Sequence, residues 1–282
     1  MTATTTLQHS ALGLGLRPAH YGEIFASEPA VDFFEVLSEN FMHTGGRPLR
    51  MLDRIAERFP VVLHGVSMNV AGTDRLDRDY LRELRALQRR CSAAWIGDHL
   101  CWTAIDGVQM HDLLPIPYDE ATLEHVAARV RRIQDVLEQP LVLENPSTYL
   151  RFATGDFDEA SFLAALVERT DCRLLVDVNN VYVSAVNHGS DPEAWLRRIP
   201  WANVVYLHVA GHTVNASHLV DTHDHPVCPA VWKLHALAQQ LSGGKPTVLE
   251  RDDRIPSLAE LTAELHRAHA SRQPRAFTGV AS

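Results

Sequence analysis

No stretch of this chain approaches 18 uninterrupted apolar residues, so no membrane-spanning helix is expected. The opening MTATTTLQHS has neither a basic nor an apolar segment, so no signal peptide is expected either. Cysteine is scarce: Cys91, Cys101, Cys172 and Cys228 form no C-x-x-C and no close pair. That spacing fits neither a zinc ribbon nor a disulfide framework and predicts reduced thiols in a cytoplasmic protein. Positive charge is short too. With 26 Lys and Arg against 35 Asp and Glu, the formal net charge is −9, which argues against nucleic-acid or anionic-membrane partners. There is no G-x-x-x-x-G-K-[ST] and no G-x-S-x-G. GLGLRP has a G-x-G but not the third glycine of a dinucleotide fingerprint, and it reads as a tightly packed first strand.

What is present is an ordinary globular composition, 46% apolar over 282 residues, with no low-complexity linker. Apolar, β-branched runs at 11–16, 31–37, 61–66, 94–101, 141–145, 173–178, 203–209 and 246–250 predict eight strands. Helical stretches at 74–91, 118–137, 158–169, 191–198, 229–241 and 257–270 alternate with them. In 118–137, Leu123, Val126, Val130, Ile133 and Leu137 recur every three or four residues, the stripe of an amphipathic helix. The alternating charges of 74–91 suit a solvated helix face. Apolar strands bounded by helices imply a parallel sheet covered on both faces. Eight such units predict an α/β single-domain (β/α)8 TIM barrel over 11–270, flanked by flexible segments at 1–10 and 271–282. A doubly wound open sheet is the alternative, but it gathers ligands at one switch point, whereas candidate ligands here end at least six strands.

Those strand ends carry the chemistry. The runs finish on His64, His99, Glu144, Asp177, His208 and Glu250, and the loop LVDTHDHPV adds Asp221 and His223. Any one of these has a bland reading: a hydrogen-bonded rim histidine, or a carboxylate paired with arginine. Together they are different, because parallel barrel strands deliver their C-terminal ends to one face. Several carboxylates there would repel one another unless cations intervened. Mixed imidazole and carboxylate ligands suit iron, manganese or zinc, and their number suits two or three ions, with Glu144 the natural bridge. Asp221 and His223 would point the same way in an extended segment, as would Asp177 and Asn179; Asn180 would serve if the chain turns there. Glu144, His99 and Asp177 are the candidate catalytic residues. His188, Glu35 and Asn40 are candidate substrate contacts. HVAGH, with His208 and His212 four apart, reads as strand end and loop rather than a helical metal pair.

The stretches GLGLRPAHY, DFFEVLSENFM, VVLHGVSMNV, IGDHLCW, LPIPY, LENPSTY, DVNNVYVSAVNHG, YLHVAGH, DTHDHPV and LERDD, spread from about residue 12 to 253, resemble the DUF692 (UPF0276) family of multinuclear iron TIM-barrel proteins, which includes the methanobactin-biosynthesis oxidase. The resemblance implies two or three irons. His64, His99 and Glu144 match ligands of one, and Glu144, Asp177, His208 and Glu250 those of a second. Asp221 and His223, with an Asn of the DVNN stretch, match a third. It also implies O2 as co-substrate, a cysteine-containing ribosomal precursor peptide as substrate, and a partner protein that recognises the leader. Products among such relatives include oxazolone–thioamide and thiooxazole groups or loss of a carbon. Two rival readings stand beside it: a zinc or manganese isomerase or phosphodiesterase of the TIM-barrel type, and a non-catalytic metal or peptide carrier.

Overall fold

The computed structural model describes residues 7–272. The elements run β1 (Leu12–Gly15), α1 (Tyr21–Ala26), β2 (Phe33–Leu37), α2 (Arg47–Ala56), β3 (Val61–His64), α3 (Arg78–Cys91) and β4 (Ile96–His99). A hairpin of β5 (Trp102–Ile105) and β6 (Val108–Leu114) precedes α4 (Glu120–Leu137), β7 (Leu141–Glu144), α5 (Glu159–Thr170) and β8 (Arg173–Asp177). Then come α6 (Val178–His188), α7 (Pro192–Leu196), β9 (Val204–Val209), and a short ribbon of β10 (Thr213–Val214) and β11 (Leu219–Val220). The chain ends with α8 (Pro229–Ser242), β12 (Thr247–Leu249), α9 (Leu258–Leu265) and α10 (Arg267–Arg272).

Eight strands, β1, β2, β3, β4, β7, β8, β9 and β12, pair in parallel and close into a barrel, with helices outside: a TIM barrel. All eight expected strands are there, each trimmed by a residue or more at one or both ends. The helices form for local reasons. Asp119 accepts the Thr122 amide to start α4, which buries Leu123, Val126, Val130, Ile133 and Leu137 as the sequence stripe requires. Asp77 accepts the Asp79 and Tyr80 amides, so α3 starts at Arg78, four residues inside the expected range. Ser257 and Glu260 form a reciprocal capping box for α9.

The barrel interior explains where the strand-end residues go. One apolar layer contains Phe33, Val62, Val142, Leu175, Tyr206 and Val248. Because side chains alternate along a strand, the residue two further on points to the same side. Two residues after these lie Glu35, His64, Glu144, Asp177, His208 and Glu250. The layer above the packed floor is therefore polar. Two glycines make the room. A Cβ on Gly13 would come within 2.5 Å of the Phe33 ring, and one on Gly97 within 2.7 Å of His64 Nδ1.

Several features differ from the sequence expectation. DVNN is neither extended nor a simple turn: Asp177 caps α6, and Asn179 and Asn180 lie in its first turn. Helices α1, α2 and α6 and both hairpins lie where no element was expected. The 257–270 helix is two segments, α9 and α10. Of the segments expected to be flexible, residues 1–6 and 273–282 lie outside the described residues. Leu7 packs against the inner apolar layer, and His9 Nδ1 lies 3.2 Å from Gly244 O. Among the described residues, no helix is long and apolar enough to cross a membrane.

Candidate metal centre

The polar layer converges on a few oxygen and nitrogen atoms. Glu144 Oε2 lies 2.9 Å from His64 Nε2, 3.4 Å from His99 Nε2 and 3.7 Å from His208 Nδ1. His208 Nδ1 is also 3.8 Å from Asp177 Oδ2 and 3.1 Å from Glu250 Oε2. His223 Nδ1 sits 3.3 Å from that same Glu250 oxygen. Sets of ligand-type atoms mutually within 4.8 Å are His64–His99–Glu144, Glu144–Asp177–His208, Asp177–His223–Glu250 and Glu35–His208–Glu250. These clusters could hold metal ions. Above them opens a cavity of about 660 Å³, walled by Gln109, His111 and Asp112 of β6 and by Ser147, Tyr149 and Asn180.

Burial here is severe, with Glu144 1% and both Asp177 and His208 0% exposed. Burial alone would raise the Glu144 carboxyl, but His99, His208 and His64 outweigh it and hold that group below its ordinary range. Burial, reinforced by Glu144, pushes Asp177 well above the usual carboxylate range. Burial opposes charge on His208, yet Glu250, Glu35 and Glu144 raise it well above normal. For His64, too, burial is overcome, here by the Glu144 carboxylate 2.9 Å away, which raises it to about 9. Without cations, then, the cluster neutralises itself with protons. Metal ions would do the same work.

Two observations test whether the donors fit metal ions. First, Glu144 Oε2, Asp177 Oδ2, His64 Nε2, His208 Nδ1 and His223 Nε2 are buried and crowd one another, yet none makes a well-directed hydrogen bond among the described residues. Second, His99 Nδ1 lies 3.2 Å from the Gly65 carbonyl, which can only accept. His99 Nδ1 therefore carries the proton, and burial lowers this imidazole's pKa, keeping it neutral. Its Nε2 lone pair then faces a carboxylate oxygen at 3.4 Å. Two lone pairs facing each other in a buried site suit a cation between them, so the residues fit the group.

The remaining candidates separate clearly. Asn180 Nδ2 donates to Glu144 Oε1 and Asn145 O, both at 3.1 Å, leaving its buried Oδ1 without a hydrogen-bond partner among the described residues. Asn179 is fully engaged: Nδ2 donates to Asp221 Oδ1 at 2.7 Å, and Oδ1 lies 2.8 Å from His212 Nδ1. Of the pair, the structure turns Asn180 toward the ligand atoms. Asp221 does meet His223, at 2.7 Å, but not through an extended segment, since His223 has a left-handed φ of 49°. Asn40 is exposed and lines a different cavity with Tyr21 and Phe41. It leaves the site because Ser38–Asn40 turns outward as a 3-10 segment. His188, at the far end of α6, pairs with Thr148 Oγ1 at 2.9 Å and lines a neighbouring cleft. Glu35 is buried, its oxygens facing Tyr206 and His208.

Sequence reasoning missed three supports. Asn145 exchanges hydrogen bonds with the Asp177 backbone, locking β7 to β8. Tyr149 accepts the Asp221 amide at 3.0 Å. His212 braces Asn179. Tyr206, whose hydroxyl donates to Glu35, is a fourth, and it alone carried a readable signal: it stands one strand period before His208.

Fold and site together define a (β/α)8 barrel with clustered metal-ligand side chains at its C-terminal mouth. The comparisons go further. Residues 11–273 match the family described as RiPP precursor modification enzyme MbnB/TglH/ChrH, where RiPP denotes a ribosomally made, post-translationally modified peptide. The chain is 51% identical over 267 residues to a UPF0276 protein of Caulobacter vibrioides, covering 94% of this chain and 95% of that one. It is 50% identical over 264 residues to one of Rhizorhabdus wittichii, covering 93% and 95%. The chain thus belongs to the MbnB/TglH/ChrH family of RiPP precursor modification enzymes, also known as DUF692 or UPF0276. Among solved structures, a D-allulose 3-epimerase from Methylomonas sp. superposes with TM-score 0.64 at 10% identity, covering 95% of this chain and all of that one. A D-psicose 3-epimerase from Clostridium cellulolyticum gives 0.59 at 12%, covering 93% and 96%. At such identities the likeness is one of fold.

Proposed function

We propose that this protein is a multinuclear non-haem iron enzyme that uses O2 to oxidise cysteine in a ribosomally made precursor peptide. A separate leader-recognising protein presents the peptide, in a reducing cytoplasm. The observation that carries the reading is the convergence of buried, unpartnered carboxylate and imidazole atoms at the barrel mouth of a chain in this family. In this reading His64, His99 and Glu144 hold one ion; Glu144, Asp177, His208 and Glu250 hold a second; and His223, Asp221 and Asn180 serve a third. Glu144 Oε1 is occupied by Asn180, so Glu144 reaches both neighbouring sets through Oε2.

Iron, when bound, supplies open coordination positions for thiolate and O2, and a path for electrons from the cysteine to O2. The chain's own residues do the rest. Asp177 spends one oxygen on capping α6, at 2.6 Å from the Asn180 amide, and so presents the other rigidly. The Gly65 carbonyl holds the proton of His99 away from the cavity. The β5–β6 hairpin and Tyr149 wall the mouth and restrict water. The cavity volume falls within the range of sites that enclose a ligand. Exposed Val108 and Met110 on the hairpin, Leu150 and Phe152 after β7, and Val214 on β10 offer apolar surface on connections from the same barrel face, which suits a peptide and its carrier.

Three of the four native thiols are poor competitors. Burial pushes Cys91 and Cys172 to about 11 and Cys101 well above its ordinary value. The test is incubation of the iron-loaded enzyme with a cysteine-containing precursor and its partner, following O2 uptake and peptide mass. O2-dependent mass change at cysteine supports the reading. Turnover of a sugar or phosphodiester with bound zinc or manganese, and no O2 uptake, would replace it with the isomerase or phosphodiesterase reading.

A further inference from the structure

The two ring nitrogens of His208 face different surroundings. Nδ1 looks into the ligand cluster, 3.1 Å from Glu250 and 3.7 Å from Glu144, and has no hydrogen-bond partner among the described residues. Nε2, across the ring, lies 3.0 Å from both oxygens of Glu35. Glu35 is 4% exposed, and the Tyr206 hydroxyl donates to its Oε2 at 2.8 Å. Tyr206 is itself fixed: it is fully buried and its ring stacks on Trp95, 5.3 Å between centroids. A carboxylate buried inside a barrel is expensive, and packing alone would be served by an apolar side chain. Glu35 stands behind the imidazole, one strand period above Phe33, where its oxygens meet His208 and Tyr206.

We infer that Glu35 is a positioning residue for a metal ion at the barrel mouth: by accepting the Nε2 proton of His208 it fixes the tautomer that presents the Nδ1 lone pair to the ion, and Tyr206 fixes Glu35 in turn. Carboxylates behind metal-bound histidines generally act in this way, orienting the ring and raising its basicity. The inference rests on the metal reading of the site, and on neither iron, O2 nor peptide. It makes Glu35 a support for a ligand rather than a ligand itself, since its oxygens meet His208 Nε2 and the Tyr206 hydroxyl.

The experiment titrates Co(II) into the apo chain and follows visible absorption, in the parent, Glu35→Gln and Tyr206→Phe. Glu35→Gln keeps the shape but offers a neutral, weaker acceptor. It is expected to weaken Co(II) binding about 10- to 100-fold and shift the absorption bands. Tyr206→Phe leaves Glu35 and His208 in place and is expected to shift both readouts the same way by less. A Glu35→Gln chain with parental affinity and spectrum overturns the assignment, as does one with a lowered unfolding midpoint and an unaltered spectrum. Should Glu35→Gln fail to fold, Tyr206→Phe decides: parental affinity and spectrum there overturn the relay. A parent that takes up no Co(II) removes the metal reading itself, and this inference with it.

Discussion

At the scale of single residues, each ligand candidate is defined by what its second atom does. Asp177 caps a helix with one oxygen, His99 donates one nitrogen to a carbonyl, and Asn180 spends its amide nitrogen on Glu144 and Asn145. Asp177 Oδ2 and Asn180 Oδ1 are left without a hydrogen-bond partner among the described residues, and His99 Nε2 faces Glu144 Oε2 at 3.4 Å. Glu144 sits among three histidines, so Glu144→Ala should release more metal per chain than Glu250→Ala, whose carboxylate stands at the edge. Equal metal content in Glu144→Ala and parent, by elemental analysis, would end the bridging assignment. Gly97 is a second sensitive position, because its missing Cβ is what admits His64. Gly97→Ala should destabilise the fold by about 1–3 kcal/mol, the usual range for overpacking. It should also deplete metal at His64. Parental stability and metal content together would show that the ring moves freely.

At the scale of elements, much was legible and some was not. Strands that end in His or acid announce themselves, because an apolar run and a period of two fix both the strand and the direction of its last side chain. That is why His64, Glu144, Asp177 and His208 could be placed from sequence. Helix α6 could not: DVNNVYVSAVNH is rich in β-branched residues and asparagine, which disfavour helix, and only the Asp177 cap and packing against α8 and β9 make it one. That error left Asn179 and Asn180 unresolved and let His188 seem close to the site. Asn40 was misplaced because a strand-end rule says nothing about the 3-10 turn that follows.

Asp221, on the segment after β11, meets His223 and Asn179 rather than the Glu144 group. Asp221→Ala should therefore lower bound metal by about one ion per chain and spare the rest; loss of all metal at once would contradict that division. Helix α5 supplies a pH prediction. Glu159 is half-buried beneath Trp195 and Tyr118, and burial raises it from its ordinary 4.5 to about 7. The folded state thus holds this proton more tightly than the unfolded one, and stability present below about pH 4.5 is lost as pH rises through about 7. Relative to the parent, the melting temperature of Glu159→Gln should improve across that window and level off above it. A difference independent of pH would show that Glu159 ionises normally.

At the scale of the whole molecule, the barrel is a device for convergence. Eight strands each contribute little, yet closure brings their C-terminal ends to one mouth, and a packed apolar layer beneath forces the polar residues upward into a shared space. The fold class and the crowding of ligands were readable because they follow from repetition. The finer division among ligands, supports and bystanders was not, because it depends on which nitrogen or oxygen is already engaged across elements distant in sequence. The most direct measurement is elemental analysis of the chain purified without oxygen after iron-replete growth, counted per chain. Two or three irons are expected. A chain free of metal, or one filled with zinc or manganese under those conditions, would contradict the iron-enzyme reading.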